Sequence, residues 1–108
     1  MKLLTKELET RFAQLGRQEG KGEEAVVIAK FFTPDSNWTW FATEYDPSSR
    51  EFFGLVAGLD VELGYFSLDE LESARGPLSL PVERDLWWKE TTLAEVRKDL
   101  TCQSGGTP

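Results

Sequence analysis

Apolar residues near the start of the chain recur at helical spacing. The residues of this stripe are Leu4, Leu8, Phe12 and Leu15. Steps of three and four residues are typical of an amphipathic helix that buries one side. Gly16 follows the last residue of the stripe, and glycine is the commonest residue just past a helix end. The pattern predicts an N-terminal helix, followed by a polar, glycine-rich loop over residues 16–22.

From Ala25 onward the pattern becomes that of β-strands. Residues 25–32 are apolar on both faces apart from Lys30, as in a central strand. A turn at residues 33–36 contains proline, which presets the backbone angle of a turn position. Residues 37–44 then predict an antiparallel return strand, and residues 51–58 predict a third strand after a second turn.

Side chains on the predicted return strand alternate between its two faces. One face carries Trp38, Trp40 and Ala42, and the other carries Thr39, Phe41 and Thr43. Two indoles on one face cannot both be deeply buried without partners for their N–H groups. At least one of the two is therefore expected near the surface.

The second half of the chain predicts one more short strand before its helices. Residues 59–65 alternate apolar with acidic or small residues, which indicates a short edge strand or an extended connection with an acidic outer side. Ser67 and Glu70 have capping-box spacing and predict a helix over residues 67–75. Residues 82–89 predict a further strand, and Thr92 opens a C-terminal helix by the same capping-box spacing.

This order of elements predicts the α+β class. We expect an antiparallel sheet of about four to five strands with an N-terminal helix, a helix near 67–75 and a C-terminal helix. Residues 1–100 are expected to form a single α+β domain, since a chain of 108 residues suits one core. Residues 101–108 are polar and are expected to form a disordered tail. No apolar run is long enough for a membrane span or signal peptide, which predicts a cytoplasmic protein.

The residue types that the chain contains exclude several kinds of catalytic and metal-binding site. The chain has no histidine, which excludes histidine-based nucleophilic catalysis and histidine-ligated zinc. Its single cysteine, Cys102, forms no internal disulfide and no thiolate cluster. No glycine-rich phosphate loop is present. Asp60 and Glu62 offer the oxygen ligands that hard cations prefer, but charged residues on an edge strand are more simply explained as protection of that edge. We therefore expect no cofactor, no metal site and no assignable catalytic residue.

The charge of the chain is concentrated in its middle third. Residues 34–74 contain nine acidic residues and one basic residue, Arg50, whereas the net charge of the whole chain is −7. If these carboxylates converge, they form an acidic patch that repels phosphate backbones and attracts basic protein surfaces. The alternative is a solvated face that keeps a small protein in solution.

Aromatic residues are dense for so short a chain. They include Phe31, Phe32, Trp38, Trp40, Phe41, Trp87 and Trp88. Aromatic faces on a sheet can stack unpaired bases, but such platforms normally carry basic residues that follow the nucleic-acid backbone. Because Lys30 is the only basic residue between Lys21 and Arg50, packing between sheet and helices is the preferred interpretation of these rings.

Polar residues beside Trp38 have two interpretations. Asn37 and the pair Arg84–Asp85 precede tryptophans in the sequence. They either shape turns and satisfy neighbouring carboxylates, or flank Trp38 as a recognition site.

Three stretches of the sequence carry a family resemblance. Residues 31–41, 62–72 and 75–85 resemble, in order and spacing, an uncharacterised domain family that recurs on bacterial conjugative plasmids, integrative elements and phages. The resemblance extends from about Leu3 to Val96. It implies a small cytoplasmic accessory protein of mobile DNA. It implies no activity, so no catalytic residue is carried over.

These observations favour a non-enzymatic interaction protein that binds a basic protein surface through an acidic patch. One form of this hypothesis is an inhibitor that imitates phosphate charge and binds a nucleic-acid-handling enzyme. The predicted interaction surface consists of Asp35, Asn37, Trp38, Asp60, Glu62, Glu72, Arg84 and Asp85. Direct binding of nucleic acid is disfavoured, and no membrane partner is expected.

Two alternative functions stay open. One is a single-stranded nucleic-acid binder using Trp38, Trp40 and Lys30. The other is a histidine-free enzyme using Asp35, Glu62 and Arg84.

Overall fold

The protein has an α+β fold, in which three α-helices pack on antiparallel sheets. A computed structural model describes residues 2–105. The helices are α1 (Lys6–Leu15), α2 (Leu68–Ser73) and α3 (Leu93–Gly105), and a 3-10 segment covers Glu19–Glu24. The strands are β1 (Val26–Val27), β2 (Ala29–Phe32), β3 (Thr39–Asp46), β4 (Glu51–Ala57), β5 (Val61–Ser67), β6 (Glu83–Arg84) and β7 (Thr91–Thr92). The predicted fold class and all three predicted helices are confirmed.

A five-stranded antiparallel sheet forms the centre of the molecule. Its strand order is β5-β4-β3-β2-β6, while β1 and β7 form a separate two-stranded sheet. Strands β2 to β5 are consecutive in the chain and pair with their neighbours as an antiparallel meander. The three successive strands predicted over residues 25–58 form its first part, and β5 extends it. β5 and β6 are the outer strands of this sheet.

The five-stranded sheet separates two apolar clusters. On its first face, α1 and α2 pack over a cluster that contains Phe12, Phe31 and Phe52. On its second face, α3 packs over a smaller cluster that contains Phe41 and Leu55. Burial of these aromatic and aliphatic side chains supplies the main stabilisation of such a fold.

A β-bulge in β3 resets the alternation of its side chains. Pairing with β4 shifts register between Ala42 and Glu44. Up to Ala42 the predicted alternation is correct. Beyond the bulge the faces change, and Tyr45 packs against Phe52 on the first face with ring centroids 4.8 Å apart. Thr43, the extra residue, is buried, and its hydroxyl donates to the Phe53 carbonyl at 3.1 Å.

Two strand predictions are wrong in extent. The strand predicted over residues 25–32 is divided, because β1 leaves the large sheet to pair with β7 and so carries Val27 into the second cluster. The strand predicted over residues 82–89 is reduced to β6. Its continuation is stopped by Asp85, whose carboxylate accepts a hydrogen bond from the Trp87 backbone at 2.9 Å and turns the chain.

The helix boundaries follow the local signals closely. The Ser67 hydroxyl accepts from the Glu70 backbone at 2.9 Å, and the Glu70 carboxylate accepts from the Ser67 backbone at 3.2 Å, so the predicted capping box begins α2. α1 ends at Gly16 as predicted. α3 continues to Gly105, past the predicted domain end at residue 100. The last part of the predicted tail, residues 106–108, lies outside the described residues.

No helix within residues 2–105 has the length and apolarity needed to cross a membrane.

Candidate interaction surface

The residues predicted to form one interaction surface lie in separate parts of the fold. Asp35, Asn37 and Trp38 belong to the β2–β3 turn, Asp60 and Glu62 to the β4–β5 hairpin, Glu72 to α2, and Arg84 and Asp85 to β6 and the residue after it. The β2–β3 and β4–β5 turns lie at one end of the sheet, because Thr39 pairs with both Phe32 and Ala57. The β3–β4 turn lies at the other end, about 20 Å away along the seven residues of β4.

Near the β3–β4 turn one arginine pairs with two carboxylates of α2, and a third carboxylate is held by a serine. The Arg50 guanidinium lies 2.8 Å from the Asp69 carboxylate and 3.4 Å from that of Glu72. The hydrogen bond with Asp69 raises the pKa of Arg50. Asp46 accepts from the Ser48 hydroxyl at 2.7 Å and from its backbone at 2.9 Å, and the bond from the hydroxyl is the main cause of a lowered pKa for Asp46. We call this group, Arg50 with Asp46, Asp69 and Glu72, the arginine cluster.

The arginine cluster also borders the first apolar face. Burial raises the pKa of the Tyr45 hydroxyl, and the charges of Arg50, Glu9, Asp69 and Asp46 act on it from the neighbouring elements. Glu72, one of the predicted interaction residues, belongs to this local ion-pair network through its contact with Arg50. It lies at the opposite end of β4 from Asp60, so the two do not form one patch.

Asp35 holds a loop of the fold. Its Oδ2 accepts a hydrogen bond from the Leu78 backbone at 2.7 Å. Its Oδ1 is buried against Gly76, with no hydrogen-bond partner. A Cβ at residue 76 would lie 1.7 Å from this oxygen, so a larger residue there would displace the Asp35 carboxylate. The carboxylate is thus engaged in positioning residues 76–80.

Trp38 lies at the surface and stacks on Trp40. The two ring centroids are 6.1 Å apart with an interplanar angle of 24°. The Trp38 ring lies on the β4–β5 turn so closely that a Cβ at Gly58 would meet it at 2.4 Å. The side of the pair facing Pro77 lines a groove of about 460 Å³. The expectation that at least one of the two indoles lies near the surface is confirmed by the 43% exposure of Trp38.

A larger groove on the second face brings together three other predicted residues. Its volume is about 1220 Å³, and Asn37, Arg84 and Asp85 line it together with Lys30 and Arg97. Sequence reasoning did not place Lys30 and Arg97 beside these residues, because only the pairing of β2 with β6 and the docking of α3 join them.

The charges of this groove are mixed and largely paired within the fold. Lys30 lies 3.9 Å from Asp85, and Arg97 lies 2.7 Å from Glu23. The Lys30 ammonium also lies 5.9 Å from the ring centroids of Phe41 and Trp88. The groove is therefore neither acidic nor strongly basic.

The alternative sets of functional residues are also dispersed. Paired residues share a face of a sheet, and Lys30 pairs with Phe41 whereas Phe31 pairs with Trp40. Lys30 and Trp40 therefore lie on opposite faces and do not form one nucleic-acid platform.

The residues of the enzyme alternative are separated as well. Glu62 lies on β5 and Arg84 on β6, the two outer strands of the sheet. Four strand spacings separate these strands, which is about 19 Å. Asp35 is engaged by the loop that it holds. In the described part of the chain, no group of three acidic or sulfur ligands is placed to hold a metal ion.

The β4–β5 hairpin (Glu51–Ser67) exposes apolar side chains that sequence reasoning placed inward. Val61 is 45% exposed, Leu63 is 44% exposed and Tyr65 is 71% exposed. They lie on the second face, since Leu63 pairs with the buried Leu55. None of the three belongs to the second cluster, whose members on β4 are Leu55 and Ala57. Val61 borders the groove that Arg97 and Leu100 of α3 also line, so the second face of β5 is only partly covered. The edge strand is as predicted, but its apolar side is exposed together with its acidic side.

A comparison with protein families identifies the class of domain. The chain matches the family described as "Protein of unknown function (DUF2958)" over residues 3–105, and it belongs to this family. No curated protein and no solved structure matches the chain. The family description specifies no activity.

Proposed function

We propose that this protein is a non-enzymatic binding protein whose partner is a protein with a basic surface. One observation carries the proposal. Of the nine carboxylates in residues 34–74, six are engaged by hydrogen bonds or ion pairs of the fold: Asp35, Glu44, Asp46, Asp69, Glu70 and Glu72. The three side chains without such a partner in the described structure are Glu51, Asp60 and Glu62, and all three belong to the β4–β5 hairpin.

Carboxylates that have no partner within the fold are available to interact with another molecule. Asp60 and Glu62 lie together near the β4–β5 turn, whereas Glu51 lies at the other end of β4, directly after Arg50. Residues 51–74 contain no lysine and no arginine, so no basic residue within this segment offsets Asp60 and Glu62. Such a surface attracts a basic partner and speeds its encounter at low salt. It repels the phosphates of a nucleic acid.

A protein that normally binds phosphate backbones has a basic surface of the required kind. An inhibitor that imitates phosphate charge and acts on a nucleic-acid-handling enzyme is therefore the form of the proposal that we favour. An accessory role on mobile DNA agrees with the resemblance of residues 31–41, 62–72 and 75–85.

The test is capture of a partner by tagged protein from bacterial lysate, with and without nuclease, followed by elution in rising salt. The variant Asp60→Lys/Glu62→Lys reverses the charge of two unpaired carboxylates. The control Glu95→Lys/Asp99→Lys makes the same change in net charge at exposed positions of α3.

We expect the hairpin variant to lose a nuclease-resistant partner that the control variant retains. Capture that survives in the hairpin variant, or that disappears with nuclease, would contradict the proposal.

A further inference from the structure

The free edge of β5 has a defined hydrogen-bonding phase. Bonded and non-bonded pairs alternate along an antiparallel ladder. At one end of the β4–β5 ladder Gly58 donates to the Asp60 carbonyl at 2.9 Å, and at the other end Leu68 donates to the Arg50 carbonyl at 2.9 Å. Glu62 and Gly64 are separated from Asp60 by two and four residues, so their backbone N–H and C=O groups also form hydrogen bonds with β4. The residues that alternate with them direct their backbone N–H and C=O groups away from β4, toward the free edge. These are Val61, Leu63 and Tyr65.

This edge carries only one of the usual protections against pairing. Natural edge strands are blunted by charged side chains, above all lysine, or by proline, a bulge or a very short length. In β5 the one charged residue is Glu62, which protects against a second acidic strand but not against a basic one. β5 has seven residues with the sequence VELGYFS, and its register against β4 is unbroken. Its outward N–H and C=O groups have no strand partner in the described structure.

The residues with outward backbone groups also carry the exposed apolar side chains. Val61, Leu63 and Tyr65 alternate along β5, so their side chains share the second face beside the free edge. The Tyr65 ring packs edge-on against Phe53, with centroids 5.0 Å apart. We call Val61, Leu63 and Tyr65 the apolar stripe. If a further strand paired with β5, every second side chain of that strand would pack on the stripe.

The negative charge near this edge indicates which kind of segment would bind there. Asp60 and Glu62 lie at one end of β5, and Glu51 lies opposite Ser67 at the other. A second copy of the chain would bring the same carboxylates and a net charge of −7 to this edge. A segment in which lysine or arginine alternates with apolar residues would place its basic side chains on the face of β5 that carries Glu62 and its apolar side chains on the opposite face, which carries the stripe.

We propose that β5 is a docking site for an extended basic segment of the partner protein, which adds to the sheet as a further antiparallel strand. This inference rests on the proposed function and specifies how the partner is held. Backbone hydrogen bonds to Val61, Leu63 and Tyr65 provide the affinity. The alternating basic and apolar side chains provide the specificity.

The probe is a synthetic ten-residue peptide of alternating lysine and valine. Its control is the same peptide with N-methyl groups on alternate residues, which keeps charge and composition but blocks one edge of the strand. Two N-methylated peptides in opposite phase cover both edges. Binding is measured by calorimetry, and the amide exchange of β5 is followed by NMR.

We expect the unmodified peptide to bind and to slow amide exchange at Val61, Leu63 and Tyr65. One of the two N-methylated peptides should bind about tenfold more weakly or worse. The variant Leu63→Pro, which removes one outward N–H, should weaken binding similarly, whereas Leu63→Thr, which keeps it, should bind more tightly than Leu63→Pro. Thermal unfolding establishes that both variants fold, and the N-methylated peptides test the wild-type protein independently.

The outcomes separate the two proposals. Equal binding of all three peptides, abolished by Asp60→Lys/Glu62→Lys, would retain the acidic surface and overturn strand addition. No binding of any peptide, with lysate capture still lost in the hairpin variant, would also overturn strand addition alone. Self-association of the free protein through β5, detected by ultracentrifugation and abolished by Leu63→Pro, would make a second copy the occupant and overturn the inference.

Discussion

The arginine cluster and the β4–β5 hairpin contain the same kind of charge in opposite surroundings. In the cluster, Asp69 and Glu72 face Arg50, and Asp46 is held by Ser48. On the hairpin, Asp60 and Glu62 have no such partner in the described structure and adjoin exposed apolar side chains. An excess of carboxylates in a sequence therefore does not define a binding surface by itself. The two regions differ in whether the carboxylates already have hydrogen-bond or ion-pair partners within the fold.

The largest expected difference concerns Asp35, the carboxylate most deeply involved in the fold. Asp35→Ala should lower the free energy of unfolding by about 2–3 kcal/mol, because the Leu78 amide loses a charged acceptor. Urea unfolding measures the change.

The matched control is Asp60→Ala, which should change stability by no more than about 0.5 kcal/mol. Equal losses in the two variants would mean that the distinction between engaged and unpaired carboxylates is wrong.

A smaller effect is expected at the start of α2. Ser67→Ala removes the hydroxyl that accepts from the Glu70 backbone and should cost about 1 kcal/mol. Glu70→Gln keeps an acceptor for the Ser67 amide and should cost less. Thermal unfolding followed by circular dichroism compares the two. A larger loss in Glu70→Gln than in Ser67→Ala would contradict this description of the cap.

The arginine cluster should respond to salt. Arg50→Gln leaves Asp69 and Glu72 without their cation, so we expect a lower melting temperature than wild type in dilute buffer. Because exposed ion pairs are screened, the difference should shrink at about 1 M salt. The double variant Asp60→Asn/Glu62→Gln should show no loss under either condition. A salt-independent difference for Arg50→Gln would indicate that the arginine acts through packing.

The smallest expected effect is a pH dependence at Asp46. Its pKa is lowered in the folded protein from an ordinary value of 3.8, so its contribution to stability is complete above that value and is lost as the pH falls through the folded pKa. Ser48→Ala removes the hydroxyl donor and should reduce this loss on acidification. Unfolding midpoints measured from neutral pH to about pH 2 compare the variant with wild type. Identical acid dependence in both would show that the hydroxyl does not determine this pKa.

Local signals in the sequence were sufficient for the helices and most of the sheet. The capping residue Ser67 and the terminator Gly16 act within a few residues of themselves, so both are readable without the fold. The alternation of Trp40, Phe41 and Ala42 also identified the two faces of β3 correctly. The division of residues 25–32 was not readable, because it depends on pairing with β7.

The candidate site was less predictable for the same reason. Asp60 and Asp35 look equivalent in the sequence, but a loop 43 residues farther along the chain binds one and not the other. The alternation of residues 61–65 indicated an edge strand, yet only the extent of α3 and its cluster decides which side is covered.

By itself the sequence determined the class of the fold, the beginning of α2, the absence of histidine chemistry and the concentration of charge between residues 34 and 74. Each of these depends on composition or on interactions between near neighbours. The tertiary structure decided which carboxylates have partners within the fold, which apolar side chains of β5 stay exposed and which strand has a free edge. These depend on contacts between residues far apart in the chain, where many pairings suit the same local pattern and only the packing of the whole domain selects one.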